Sequence, residues 1–174
     1  DYARAIVEGL RGVFDDAELD AGAIREVLHG TTVASNAILE GKGARTGLIT
    51  TKGFRDVLEI RNLRMPRLYD LHWEKPDPLV PRYLRREVSE RIDARGEVLT
   101  PLDEGDVRDT VAYLVEQGVE TIAVCLLNSF ANPAHEQRIK AIVEETAPGT
   151  DVCISFDVLP EIKEYERTST TVIN

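Results

Sequence analysis

The residues best suited to binding chemistry cluster at positions 29–36. His29, Gly30, Thr31 and Thr32 join a short apolar stretch to a helical pattern, and Asn36 follows one turn later. Gly30 would let the backbone approach a ligand, and threonine hydroxyls with helix N-terminal N–H groups suit an anion or polar ligand. The pattern equally fits a plain helix start, with Thr32 as the N-cap and His29 hydrogen-bonded at a strand end. The local sequence alone favours the plain helix start.

Phosphate-binding loops are not indicated elsewhere in the sequence. The glycines between Gly41 and Gly47 resemble a dinucleotide fingerprint, but their spacing is wrong and they precede a strand instead of following one. No GxxxxGK[ST] motif is present. The segment is therefore interpreted as a turn that ends a helix.

The histidines and cysteines argue against a metal or disulfide-exchange site. His135 begins a segment like a zinc-protease motif, but the second histidine four residues later is missing. Cys125 and Cys153 each lie in an apolar run, and no CxxC occurs. We expect both to be buried free thiols in a reducing compartment, so the protein is predicted to be cytoplasmic.

Length and composition limit the possible classes further. The 174 residues fit one large domain or two small ones, and 43% hydrophobic residues suffice for a core. A net charge of −10 disfavours binding to nucleic acid or an anionic membrane. No apolar run approaches the roughly 20 residues of a membrane helix. The abrupt ends predict that the chain is an excised piece of a longer protein.

A basic segment stands out in this acidic chain. Between Lys42 and Arg67 there are seven basic and two acidic residues, a local charge of +5. Such a segment either attracts an anionic substrate or an acidic partner, or is a solvated face with local ion pairs. The sequence does not separate these interpretations.

The remaining pattern predicts alternating helices and strands. An amphipathic helix opens the chain, and strands are predicted at 46–51, 121–127 and 152–156. A helix at 54–60, an irregular proline-rich excursion at 62–81 and a hairpin at 87–99 lie between the first two strands. Thr100 is predicted to cap the next helix, with Pro101 at its first position. Strand, helix and strand at this spacing indicate parallel crossovers and an α/β fold.

The last helix carries an unusual polar segment. Glu164 and Glu166 on a helix after Pro160 fit either acid–base work or an exposed soluble face. The run Thr168–Thr171 is unfavourable in a free helix because β-branched residues lose side-chain freedom there. The run predicts a packed or ligand-facing segment.

Longer stretches of the chain resemble a known enzyme family. The matching segments are 29–40 (HGTTVASNAILE), 51–60 (TKGFRDVLEI), 90–93 (ERID), 123–136 (AVCLLNSFANPAHE) and 164–171 (EYERTSTT). Taken in order, they closely resemble the N-terminal region of the hydantoinase A/5-oxoprolinase family. The resemblance implies one region over 1–174, with a proline-rich excursion and hairpin at about 62–99.

The resemblance implies fold and function together. It implies an α/β fold with a mixed sheet and parallel crossovers, part of an actin-like (ribonuclease H-like) ATPase. Members use ATP and Mg²⁺ to open a cyclic amide, hydantoin or 5-oxoproline, by phosphorylating the amide oxygen, or to carboxylate ketones. The expected partners are the small cyclic amide, the other domains of the A-type chain and a B-type subunit or domain.

Two functions remain open at this point. In the first, His29, Gly30, Thr31, Thr32 and Asn36 border the substrate or nucleotide cleft of an ATP-dependent enzyme. The family's phosphate-binding loop would lie before Asp1. This piece alone is therefore expected to be inactive and not to bind ATP tightly. In the second, the chain is a structural or assembly module of an acetone-carboxylase-like complex.

Overall fold

The structure, a computed structural model, describes residues 2–18, 20, 22, 25–26, 28, 30–62 and 69–174. It contains two compact units, residues 1–40 and 41–174. His29 lies outside the described residues, and so do Arg64 and Arg67 of the basic segment. Among the described helices, none has the length and apolar character needed to cross a membrane.

The first unit holds two helices. Helix α1 spans Tyr2–Asp16, and its half-buried residues Ile6, Leu10 and Phe14 recur every four positions, which confirms the predicted amphipathic helix. Helix α2 spans Val33–Leu39. It ends just before Gly41, whose φ of +63° is a left-handed conformation and is incompatible with a right-handed helix.

The second unit is built on a parallel sheet of four strands in the order β2-β1-β5-β6. These strands are β1 (Thr46–Thr51), β2 (Arg85–Val88), β5 (Thr121–Cys125) and β6 (Asp151–Ile154). A separate antiparallel pair consists of β3 (Arg91–Ile92) and β4 (Val98–Thr100). The α/β fold with parallel crossovers is therefore confirmed, with parallel and antiparallel pairs in different sheets.

Helices cover both faces of the parallel sheet. They are α3 (Val57–Ile60), α4 (Glu104–Glu116), α5 (Ala134–Thr146), α6 (Ser155–Val158) and α7 (Glu164–Ile173). Helix α4 packs on α5, whereas α3 packs on α7. Right-handed crossovers from β1 to β2 and from β2 to β5 run in opposite directions, so these pairs cover opposite faces. As expected for a strand covered twice, the side chains of β5 from Ile122 to Cys125 are all buried.

Close packing between β1 and α4 explains why residue 47 is a glycine. A Cβ added at Gly47 would lie 2.9 Å from a methyl group of Leu114 and 3.3 Å from Val119. Any side chain there would push α4 away from the sheet. The surrounding core is aliphatic, including Ile49, Val124 and Ile142, which have no exposed surface.

Two local predictions were wrong. Glu87 and Val88 belong to the edge strand β2 of the parallel sheet, so the hairpin comprises only the short strands β3 and β4. The N-cap of α4 is Asp103, whose carboxylate accepts hydrogen bonds from the N–H groups of Gly105 and Asp106, and Thr100 is the last residue of β4. Asp outcompetes Thr because its carboxylate also favours the positive helix end.

Three boundaries differ from expectation in smaller ways. The helix predicted from Phe54 begins at Val57, after a turn through Gly53. The strands β5 and β6 end two residues early, at Cys125 and Ile154. Both strands end where the Glu136 carboxylate begins to accept hydrogen bonds from backbone N–H groups, those of Leu126 and Phe156.

An ion pair between α4 and α5 predicts how stability changes with acid. Hydrogen bonds from Arg138, at 2.7 and 2.9 Å, and from Arg108 lower the pKa of Glu104 to about 2, from 4.5. A lowered folded-state pKa stabilises the protein above the unfolded-state value, and this contribution disappears as the pH falls from 4.5 towards 2. We expect Glu104→Gln to lower the thermal midpoint at pH 7 and to match the wild type near pH 2.

The measurement is a series of thermal melts between pH 7 and pH 2 at low salt. Glu116→Gln is the control, because Glu116 is an exposed residue of the same helix. Parallel pH profiles for wild type and Glu104→Gln would contradict the assignment.

Candidate functional site

A buried polar network lies at the carboxyl edge of the parallel sheet. The Thr51 hydroxyl, at the end of β1, donates to Glu90 Oε1 and accepts a hydrogen bond from the Leu127 N–H at 2.9 Å. Glu90 Oε2 lies 2.8 Å from Nδ1 of His135, in the first turn of α5. The Glu90 carboxylate has no exposed surface, and the His135 side chain is 11% exposed. These contacts connect the ends of β1, β2 and β5 to α5.

The adjacent residue, Glu136, serves the other half of the same edge. Its Oε1 accepts hydrogen bonds from the Leu126 N–H at 2.8 Å and the Ser155 hydroxyl at 2.7 Å, and its Oε2 accepts one from the Phe156 N–H at 3.0 Å. Burial raises the pKa of Glu136, and these hydrogen bonds oppose the rise. Glu136 therefore fixes the ends of β5 and β6. We call Thr51, Glu90, His135 and Glu136 the carboxyl-edge network.

Helix α7 is anchored to the same edge by a buried arginine. The Arg167 guanidinium donates to the carbonyl oxygens of Leu126, at 2.8 Å, and Glu161, at 2.6 Å. It also lies over the Phe130 ring, 5.6 Å from its centre. Thr168 and Thr171 are buried beside it, so the expectation that the threonine run is packed is confirmed.

An open cleft of about 580 Å³ lies beside the end of β1, lined by residues of 53–62 and by residues 163–166. We call it the α3–α7 cleft. Its first wall follows β1 through Gly53, whose φ is +92°, and its second wall is the first turn of α7. In doubly wound sheets, ligands bind at the carboxyl ends of strands where successive crossovers diverge. Here that point lies between β1 and β5, so the cleft is placed where such sheets bind ligands.

The short helix α3 forms one wall, and arginines hold it against β2. Arg82 contacts both carboxylate oxygens of Asp56, at 3.0 and 3.1 Å, and Arg85, which is 2% exposed, contacts Glu59 at 2.9 Å. The Arg82 hydrogen bond lowers the pKa of Asp56. Asp56 is thus an ionised carboxylate whose charge is balanced by Arg82, and it has a structural role in the wall.

The polar groups on the other wall have both signs of charge. The side chains of Lys163 and Glu164 form no hydrogen bond or ion pair with another residue that the structure describes. Across the cleft, Asn62 donates from its amide to Glu166 at 3.2 Å. The cleft therefore offers hydrogen-bond donors and acceptors together. The two carboxylates of this wall, Glu164 and Glu166, would repel a polyphosphate.

Metal and thiol chemistry are not indicated at this edge. Within the described part of the chain, no three His, Cys, Asp or Glu side chains are grouped so that they could hold a metal ion. Cys125 and Cys153 are free, as expected, but only Cys125 is fully buried and Cys153 is half-buried. Burial raises the pKa of both thiols. A raised pKa keeps a thiol protonated and unreactive at neutral pH.

The site residues expected from sequence lie in the first unit, outside this network. Gly30, Thr31, Thr32 and Asn36 are all exposed, and His29 is outside the described residues. Thr32 occupies the N-cap position of α2 without a capping hydrogen bond, and its hydroxyl accepts one from the Asn36 amide at 3.4 Å. No described atom lies within 4 Å of a Cβ added at Gly30. The four residues thus form an exposed polar start of α2.

The basic segment makes contacts within the chain. Arg45 donates to the Tyr83 hydroxyl at 2.9 Å, Arg55 lies 4.0 Å from the Glu87 carboxylate, and Arg61 donates to the Pro76 carbonyl. These contacts fit the solvated face with local ion pairs.

Sequence reasoning missed both the carboxyl-edge network and the cleft. His135 and Glu136 were noticed only as an incomplete metal motif, and Glu164 and Glu166 as a carboxylate pair. The signal that was available is positional, because Thr51 ends a strand and Glu90 closely follows one. In a parallel sheet such residues meet at one edge, even when they are far apart in sequence.

Comparison with known proteins gives consistent matches over this fold. Residues 1–147 match the family model described as "Hydantoinase/oxoprolinase N-terminal region". The alpha subunit of caprolactamase from Pseudomonas jessenii is 42% identical over 149 residues, which cover 84% of this chain and 21% of that subunit. The chain thus spans about a fifth of that relative's length.

Two solved structures are similar to most of the chain or nearly all of it. The crystal structure of ATP-dependent caprolactamase from Pseudomonas jessenii matches with a TM-score of 0.84 at 39% identity, covering 98% of this chain and 26% of that one. Nucleotide-free acetone carboxylase matches with a TM-score of 0.74 at 32% identity, covering 80% of this chain and 21% of that one. These neighbours share an actin-like fold, which confirms the fold class expected from the resemblance.

Removing the Glu136 carboxylate should destabilise the sheet edge. In Glu136→Ala, the Leu126 and Phe156 N–H groups and the Ser155 hydroxyl lose their buried acceptor. We expect the free energy of unfolding to fall by about 2–4 kcal/mol. The measurement is urea denaturation followed by circular dichroism at neutral pH.

Glu144→Ala on the exposed side of α5 is the matched control, and a change within about 0.5 kcal/mol is expected there. Equal denaturation midpoints for the two variants would show that Glu136 does not stabilise the edge.

Proposed function

The chain belongs to the hydantoinase/oxoprolinase family, and from that membership we propose that it is part of an ATP-dependent enzyme that opens a cyclic amide of the hydantoin or 5-oxoproline type. The observation that carries the proposal is the match to ATP-dependent caprolactamase over 98% of this chain. A lactam is a cyclic amide. The name of the caprolactamase relative and the description of the family therefore both refer to the amide bond of a ring. Residues 1–174 form one N-terminal region in this proposal, with the excursion and hairpin at about 62–99.

Ketone carboxylation is the second candidate, supported by the likeness to acetone carboxylase. Both reactions need an oxygen atom of a small neutral carbonyl compound to be activated at the expense of ATP. Cyclic amides are favoured because the caprolactamase match covers more of the chain and has higher identity.

The described residues do not fit a triphosphate by themselves. The glycines at 41 and 43 lie in a turn ahead of β1, not between a strand and a helix. The α3–α7 cleft presents carboxylates, and no metal-binding group of side chains occurs among the described residues. We therefore place the ATP and Mg²⁺ contacts mainly in other parts of the enzyme, and expect neither to bind this chain tightly alone.

The role proposed for the first unit is to border the substrate or nucleotide cleft. Gly30, Thr31, Thr32 and Asn36 are exposed at the start of α2, and His29 precedes them. Exposed hydroxyl and amide groups can exchange hydrogen bonds with a ligand without losing a buried partner.

A partner subunit is also part of the proposal. The related caprolactamase chain is named as an alpha subunit. The related acetone carboxylase chain is named as a beta subunit, and the related acetophenone carboxylase chain as a gamma subunit. A purely structural role within such an assembly is the alternative function. It differs from the enzymatic role in leaving substrate-dependent ATP hydrolysis unaffected by changes near α2.

A substrate panel tests the reaction class. We expect the full-length enzyme, assembled with its partner subunit, to hydrolyse ATP faster in the presence of a cyclic amide. The measurement is phosphate release with hydantoin, 5-oxoproline, caprolactam or acetone, the last with bicarbonate. Stimulation by acetone alone would favour ketone carboxylation, and no stimulation by any of the four compounds would contradict both candidates.

Removing the threonine hydroxyls tests the role of the first unit. We expect Thr31→Ala with Thr32→Ala to reduce substrate-stimulated ATP hydrolysis by about 10-fold or more, which corresponds to losing one or two hydrogen bonds to the ligand. Thermal stability should be retained, because both residues are exposed.

Ser35→Ala is the matched control, since Ser35 is an exposed hydroxyl residue of the same helix. Unchanged turnover in the double variant would remove Thr31 and Thr32 from the proposed site.

A further inference from the structure

We propose that the α3–α7 cleft binds the ring of the cyclic amide substrate. This inference rests on the proposed function and adds a location and a set of contacts to it. All lining residues of the cleft belong to the second unit, whereas the polar residues at the start of α2 belong to the first.

The position of the cleft is the first argument. Its lining begins two residues after β1 ends, and α7 is fixed to the end of β5 by Arg167. Both walls are therefore held by the carboxyl ends of the two strands between which the crossovers diverge. Parallel α/β sheets bind small molecules at this point because loops diverge there and leave a crevice.

The apolar part of the lining suits a saturated ring. Phe54, Val57 and Ile60 come from the first wall, and Tyr165 comes from the second. Ile60 is 53% exposed although it is a large aliphatic residue. Covering this surface with the methylene groups of a ring removes apolar area from water on both sides.

The polar part of the lining suits a cis amide. A small cyclic amide presents its N–H and its C=O on the same edge, so it needs one acceptor and one donor close together. Glu164 and Glu166 supply acceptors, while Lys163 and the Asn62 amide supply donors. Lys163 and Glu164 have no competing side-chain partner among the described residues.

The charge of the cleft, rather than its size, distinguishes the ring from the nucleotide. A volume of about 580 Å³ is within the usual range for small-molecule sites. The lining has three carboxylates, Asp56, Glu164 and Glu166, and two cations, Arg61 and Lys163, so its charged side chains sum to −1 and do not attract a triphosphate. Mixed charge therefore favours a neutral polar ring in this cleft.

The decisive experiment fills the cleft in the full-length enzyme with its partner subunit. In Ile60→Trp, the larger indole occupies the volume proposed for the ring, and Ile60 is exposed enough for the change to leave the core intact. Ile173→Trp is the matched control, because Ile173 is 48% exposed at the far end of α7 and lies outside the cleft lining.

Titration calorimetry measures the Kd of caprolactam, 5-oxoproline and hydantoin separately, with and without a non-hydrolysable ATP analogue. For at least one ring compound, we expect Ile60→Trp to raise the Kd by at least about tenfold, while the Kd of the ATP analogue changes by less than about twofold. Lys163→Met, at an exposed position, should weaken the binding of the same ring compound without changing the melting temperature of the protein.

The outcomes separate this inference from the proposed function. If the wild type shows ring-stimulated ATP hydrolysis but both tryptophan variants bind the ring equally well, the site is wrong and the function stands. Weakened binding of the ATP analogue in Ile60→Trp would instead assign the cleft to the nucleotide. Failure of the wild type to bind any of the three compounds would overturn the inference directly.

Discussion

Two consecutive side chains, His135 and Glu136, connect the ends of all four strands of the parallel sheet. His135 reaches β1 and β2 through Glu90, and Glu136 accepts hydrogen bonds from the residues that follow β5 and β6. Both belong to the first turn of α5, which begins at that edge because it follows β5. A buried carboxylate is costly unless its oxygens are hydrogen-bonded, so this arrangement permits little variation in how the strands end.

The network also explains why the cleft has a defined shape. Loops at the carboxyl edge of a sheet are usually the variable part of an α/β fold. Here Thr51 bonds the Leu127 N–H, and Arg167 bonds the Leu126 carbonyl, so the loops after β1 and β5 and the start of α7 share one set of hydrogen bonds. Ligand binding then needs little ordering of the walls, which lowers the entropic cost of binding.

Sequence patterns identified what depends on neighbouring residues. The bounds of β1 were correct, and the start of β5 was correct, because a run of apolar residues reports burial directly. The α4 cap was wrong because it depended on choosing between two nearby polar groups, Thr100 and Asp103. The hairpin was wrong because Glu87 and Val88 pair with β1, far earlier in the chain. The network joins residues 39 and 45 positions apart, a distance over which no local pattern extends.

The same difference applies to the candidate sites. The polar start of α2 was visible in sequence because its residues are adjacent, whereas the cleft combines residues about 100 positions apart, as the contact between Asn62 and Glu166 shows. A mixture of carboxylates and donors at the switch point favours a neutral ring, and a triphosphate needs many donors and few carboxylates. Because these two requirements conflict, one crevice cannot meet both well. We therefore expect the ring and the ATP phosphates to contact different sets of residues of the proposed enzyme, close enough together for phosphoryl transfer, and the α3–α7 cleft has the chemistry suited to the ring.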